Sequence, residues 1–149
     1  MAGIMAVDIS RKTPVEREAL AQGTIILQTA TIQRIKEKTV DKGDVIELSR
    51  AAAVHGVKQT PLMLLLCHPI PIHSVKVDFD VLDTKIQVSV HVKSEGRTGC
   101  EMDALNGAAN ALLTIWDMVK MYEKDSEGQY PATTIQDLKV VRKVKRSLR

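Results

Sequence analysis

Aromatic residues are almost missing from this chain: Phe79, Trp116, Tyr122 and Tyr130 are the only four in 149 residues. They are too few and too scattered to form the stacking platform with which a sheet reads single-stranded RNA. Cysteine is as scarce. Cys67 and Cys100 lack the close pairing of a zinc knuckle, so reduced thiols are expected, with a disulfide between them left open. The longest apolar run, Leu62 to Cys67, is six residues, whereas a bilayer needs roughly 20. No transmembrane helix is expected. Met1 to Asp8 also lacks the charged start and long apolar stretch of a secretory signal, which points to the cytoplasm. Acids are absent from Lys139 to Arg149, where Lys139, Arg142, Lys143, Lys145, Arg146 and Arg149 fall together. The net charge of +3 is therefore the +6 of this stretch set against −3 elsewhere. A basic end of this kind attracts nucleic acid or anionic ligands, or is simply solvated.

What is present describes a globular chain. With 44% hydrophobic and 26% charged residues, one domain over residues 1–149 is expected, carrying a basic and potentially flexible tail at 142–149. Ala19, Ala21, Gly23, Ile25 and Leu27 alternate with more polar neighbours and predict a first strand. A short helical turn is expected over 31–38. Asp41-Lys42-Gly43-Asp44 then supplies a turn and an N-cap, and Val45, Leu48 and Ala52 carry a helix towards Lys58, with Pro61 limiting it. Leu62 to Leu66 is apolar on every side and precedes Pro69 and Pro71, so this segment is predicted to be buried and stiff. Val75 to Val81 and Ile86 to Val92 alternate as two antiparallel strands around Asp83-Thr84. A long helix is predicted from Thr98 to Glu123, with Met102, Leu105, Ala109, Leu112, Trp116 and Val119 as its core-facing stripe. After Gly128 and Pro131, residues 133–141 supply a last strand. The order β-α-β-β-α-β is that of an α+β, ferredoxin-like fold, an antiparallel sheet with two main helices on one face.

Several side chains could carry chemistry. His68 lies between an apolar run and two prolines that would fix its ring; it is either a satisfied core histidine or a group that donates to a phosphate or moves a proton near neutral pH. Cys67 beside it would point to the opposite face of an extended chain, and no ligand spacing recurs, so no metal site is expected. Lys42 precedes a helix N-terminus, where free N–H groups favour anions, although a solvated turn has the same sequence. Thr98-Gly99-Cys100-Glu101 reads as a capping box, which alone would explain Glu101. Asp117 and Lys120, three apart on a helix, are either a surface ion pair or a proton-transfer couple. Lys58 stands about 20 Å from Asp44 along one helix, and Asp117 about 20 Å from Asp103 along the other. If both ends of each helix serve one pocket, that pocket is completed by a second subunit.

The ordered series of motifs resembles the cyclic pyranopterin monophosphate synthase family, the C-type molybdenum-cofactor proteins, over nearly the whole chain. The matching segments are Ala6-Val7-Asp8-Ile9-Ser10, Arg17-Glu18-Ala19, Lys42-Gly43-Asp44, Val57-Lys58-Gln59-Thr60, Leu66-Cys67-His68-Pro69, Gly99-Cys100-Glu101-Met102-Asp103 and Trp116-Asp117-Met118-Val119-Lys120. The resemblance implies conversion of (8S)-3′,8-cyclo-7,8-dihydroguanosine 5′-triphosphate to cyclic pyranopterin monophosphate with release of pyrophosphate. It implies no cofactor, no nucleic-acid or membrane partner, and a homohexamer built as a trimer of dimers with sites at the dimer interface. By the same resemblance Asp117 is the catalytic acid/base, with Lys42, Lys58 and Lys120. Leu66, Cys67, His68, Glu101, Met102, Asp103 and Arg17 would bind substrate. Two departures stand out: Asp103 replaces the family's usual Glu, and the final basic stretch lacks the glycines of the family's Gly-Lys-rich loop, so no site residue is carried onto it.

Overall fold

The computed structural model describes residues 3–148. Odd-numbered residues Val15, Ala19, Ala21 and Ile25 of the first strand, β1 (Val15–Ile26), are buried against the helices, while Glu16, Glu18 and Gln22 point the other way. Two helices follow, α1 (Thr29–Glu37) and α2 (Val45–Met63), then the hairpin of β2 (Ile72–Val81) and β3 (Lys85–Gly96). The long α3 (Glu101–Glu123) and the last strand, β4 (Thr134–Arg146), complete the chain. All pairings are antiparallel, in the spatial order β2-β3-β1-β4. This is the expected ferredoxin-like arrangement with a short extra helix. The core lies between α2, α3 and one sheet face, where Val88, Val90 and Val92 are fully buried. Phe79 is paired with Val88 on that same face, so no described strand residue on the open face is aromatic.

Two glycines let α2 and α3 approach closely. A Cβ at Gly56 would stand 3.0 Å from the Asn106 carbonyl oxygen, and one at Gly107 would stand 3.0 Å from that of Ala53. The buried side of α3 is accordingly Ala104, Gly107, Ala108, Ala111, Leu112, Ile115, Met118 and Val119. The stripe predicted from large residues is displaced: Met102 is exposed, and Leu105, Ala109 and Trp116 are only half-buried. Close helix packing selects small residues, which a hydropathy count undervalues.

Four further expectations are corrected. Pro61 lies inside the last turn of α2 rather than ending it; the carbonyl of Val57, deprived of its usual N–H, lies 3.0 Å from the Thr60 hydroxyl, which also approaches the Gly56 oxygen. Leu62 to Leu66 is not buried: Leu65 is 85% exposed, and Leu62 and Met63 in the last turn of α2 and Leu66 just beyond it are also open. Thr98 is not a cap either. Helix α3 begins at Glu101 with Cys100 as N-cap and no side-chain cap bond, so Glu101 is free to reach across to β4. The last strand also runs beyond 141. Arg142 to Arg146 continue β4, in register with β1, and Arg146 donates to Glu18 at 2.9 Å.

Buried Glu123 ties the opposite end together. Its carboxylate accepts from the Gln28 N–H at 3.2 Å, from the hydroxyl of Thr31 in α1, and from that of Thr133 at 2.8 Å, just before β4.

Candidate active site

The turn after α2, in which the Cys67 N–H donates to the Leu64 oxygen at 2.9 Å, aims Leu66, Cys67 and His68 at the first turn of α3. Together with Glu101, Met102 and Asp103 they line a cavity of about 310 Å³. Besides Thr98 and Gly99, the remaining wall is the N-terminal segment, through Met5, Val7, Ile9 and Lys12. Sequence reasoning had not placed these four in a site, since a stretch without periodicity gives no sign of where it lies.

The two acids here differ in character. Burial pushes the Glu101 carboxyl up, but its own backbone N–H, the Lys143 ammonium at 3.1 Å and the charge of Arg17 outweigh this and hold it below the ordinary range. Its Oε2 atom is buried with no partner, folded over Gly99, where a Cβ would stand 2.1 Å away. Asp103 is only 6% exposed, and burial raises its carboxyl to about 6 against the pull of its own N–H and Thr60, with the Glu101 charge adding to the rise. Near neutral pH it exchanges its proton readily. The Cys67 thiol is pushed up by burial and then by the two carboxylates, so it stays protonated and is a poor nucleophile.

A second cluster sits near the other end of α3. Asp117 accepts from Lys120 at 2.9 Å and lies 3.6 Å from the Lys42 ammonium, which also donates to the Asp117 backbone oxygen at 2.8 Å. Lys42 is delivered by a tight turn, closed by the Gly43 N–H on Val40 at 3.0 Å with Gly43 at φ +116°, just before Asp44 caps α2 through the Glu47 N–H. Lys120, and then Lys42, hold the Asp117 carboxyl below its ordinary range, while Asp117 raises Lys120. The result is an exposed carboxylate between two ammonium groups.

The structure thus groups Leu66, Cys67, His68, Glu101, Met102 and Asp103, and separately Asp117, Lys42 and Lys120. Within one subunit it does not bring the groups together: Asp103 and Asp117 are about 20 Å apart along the helix. Lys58 belongs to neither, lying in a shallow depression on α2 with Arg50 and His55. Arg17, whose Nε is buried without a partner, lines a small cavity of about 130 Å³ with Gly99, Cys100, Lys143 and Lys145, next to the His68 cavity through Gly99. The Lys143 contact to Glu101 joins residues 42 apart in sequence and has no local signature. Among the described residues no group of three or more His, Cys, Asp or Glu side chains is placed to hold a metal ion, and no helix is long and apolar enough to cross a membrane.

Fold and site together define the class: an α+β chain of ferredoxin-like topology whose titratable side chains gather at the two ends of its longest helix. Within that class the chain belongs to the MoaC family, whose pattern matches residues 6–145. A probable cyclic pyranopterin monophosphate synthase of Archaeoglobus fulgidus is 52% identical over 142 residues, covering 95% of this chain and 91% of the relative. One from Methanospirillum hungatei is 49% identical with the same coverage. A relative from Methanothermobacter thermautotrophicus, named a probable cyclic pyranopterin monophosphate synthase accessory protein, is 46% identical over 98% of this chain and 92% of its own length.

Proposed function

We propose that this chain is a cyclic pyranopterin monophosphate synthase of molybdenum cofactor biosynthesis, a lyase that converts (8S)-3′,8-cyclo-7,8-dihydroguanosine 5′-triphosphate to cyclic pyranopterin monophosphate and pyrophosphate. The observation that carries this reading is the pairing of a ring-sized cavity, walled by His68, Met102 and Asp103, with a separate carboxylate–diammonium cluster on the same helix. Ring remodelling needs groups that give and take protons, and cyclising a phosphate expels pyrophosphate, whose developing charge needs cations. Asp103 suits the first task through its raised carboxyl, and Lys42 and Lys120 suit the second.

Joining the two clusters requires a second copy. Midway between Asp103 and Asp117, α3 carries half-buried Asn110 beside exposed Leu113, and the Met63 sulfur lies 3.7 Å and 4.0 Å from the amide nitrogens of Asn106 and Asn110. A twofold axis near Asn110 would cover exposed Leu113 and Met63 and lay the Asp117 cluster of one subunit on the His68 cavity of the other. Desolvation in that interface would weaken the charges of Asp117 and Lys120 and make them effective at proton transfer. Three such dimers make the hexamer, acting in the cytoplasm. Lys58 and Arg17 serve as further phosphate ligands in the assembled site.

Incubating the purified protein with the cyclised nucleotide is expected to release one pyrophosphate per turnover. Asp117→Asn is expected to slow the reaction by about 10²- to 10⁴-fold, the usual worth of a general acid or base. Wild-type protein that leaves the nucleotide intact under conditions where a known synthase converts it would refute the assignment.

A further inference from the structure

None of the cations singled out in the sequence lines the His68 cavity. Lys42 and Lys120 are engaged with Asp117, Lys58 lies on α2, and Arg17 faces the smaller neighbouring cavity. The one lysine among its lining residues is Lys12. This side chain is exposed and makes no ion pair among the described residues.

Its backbone, by contrast, is held. The Lys12 N–H donates to the Ile9 oxygen at 3.0 Å, and its carbonyl accepts from Arg97 Nε at 3.0 Å. One turn earlier the Ser10 N–H donates to the Asp8 carboxylate at 2.9 Å. A flexible, unpaired cation thus projects from a fixed point on the cavity's rim.

The surroundings favour an anion beside it. Lys143 neutralises Glu101, and burial keeps Asp103 from being a full negative charge near pH 6. The first turn of the 23-residue α3 also faces this cavity, and although Glu101 and Asp103 each draw on their own backbone N–H, the positive end of the helix dipole is directed there. Resting on the synthase reading, we propose that Lys12 grips the polyphosphate end of the substrate at the N-terminus of α3 and thereby fixes which way the ring lies against His68.

A grip on the terminal phosphate, whose charge changes little as the bond to the pyrophosphate breaks, acts on ground and transition states alike, so it governs KM rather than kcat. Lys12→Met and Lys12→Arg would be compared with wild type and with Lys76→Met, a lysine on the open sheet face, in the full-length protein. Pyrophosphate release is followed against nucleotide and salt concentration, and inorganic pyrophosphate binding is measured by calorimetry. Loss of one charge-assisted contact is expected to raise KM about tenfold or more and to weaken pyrophosphate binding similarly in Lys12→Met, with kcat little changed. Lys12→Arg should recover most of the loss, and the salt dependence of KM should flatten in Lys12→Met. If Lys12→Met matches Lys76→Met in KM and pyrophosphate affinity, or loses kcat at unchanged KM, the proposal is overturned. Wild type that binds pyrophosphate but does not turn over the nucleotide overturns the synthase reading instead, and Lys12 is then decided by the calorimetry alone.

Discussion

Asp103 shows how one methylene and one wall of protein set a residue's chemistry. A carboxyl raised by burial stabilises the fold in its protonated form, and that contribution is lost as pH rises from about 4 through about 6. The sign is opposite to that of Asp117, whose lowered carboxyl favours the fold above the ordinary range and loses that effect in acid. Asp103→Asn removes the titration. Between pH 5 and pH 8, the stability of wild type relative to Asp103→Asn is expected to fall by about 1 kcal/mol, measured by urea unfolding at each pH. No such trend, or one of opposite sign, would mean that Asp103 is charged throughout. His68 and Asp117 were readable as candidates because their motifs are local. Lys12 and Lys143 were not, since their roles depend on which distant backbone they lie beside.

At the scale of elements, β1, the β2–β3 hairpin and α2 were all legible from periodicity and turn chemistry. The errors share one cause. Glycine and alanine carry little hydropathy, so the true buried side of α3 was hidden, although Gly56 and Gly107 are where the helices come closest. Gly107→Ala is expected to cost about 1–3 kcal/mol in thermal or chemical unfolding, because the Ala53 backbone cannot withdraw from the added Cβ. Leu62 to Leu66 erred in the opposite direction. An apolar run says that something covers it without saying whether the cover is the same chain. The continuation of β4 to Arg146 escaped notice because a run of basic residues looks solvated, whereas here the strand finds Glu18 on its neighbour.

For the whole molecule, the separation of the two clusters leads to an experiment that a single-chain site could not pass. His68→Ala and Asp117→Asn oligomers, each inactive, are expected to regain a substantial part of wild-type turnover when dissociated, mixed and reassembled, because mixed dimers of the proposed arrangement would hold one intact site. Mixtures no more active than their components would place the whole reaction within one subunit. Leu113→Glu is expected to break the assembly in sedimentation while the helical circular dichroism persists.

Helix α3 is fastened at both ends to the same strand and its approach: Glu101 to Lys143, and Glu123 to Thr133. In the proposed dimer it would behave as a gauge block, fixing the spacing that the second subunit has to match. Inserting a single residue between Asn110 and Asp117 would turn the far end by about 100° and lengthen the block by about 1.5 Å. Every side chain of the site would survive such a change, yet the two halves would no longer meet. A site shared in this way would constrain the length of a helix as strictly as any residue it carries.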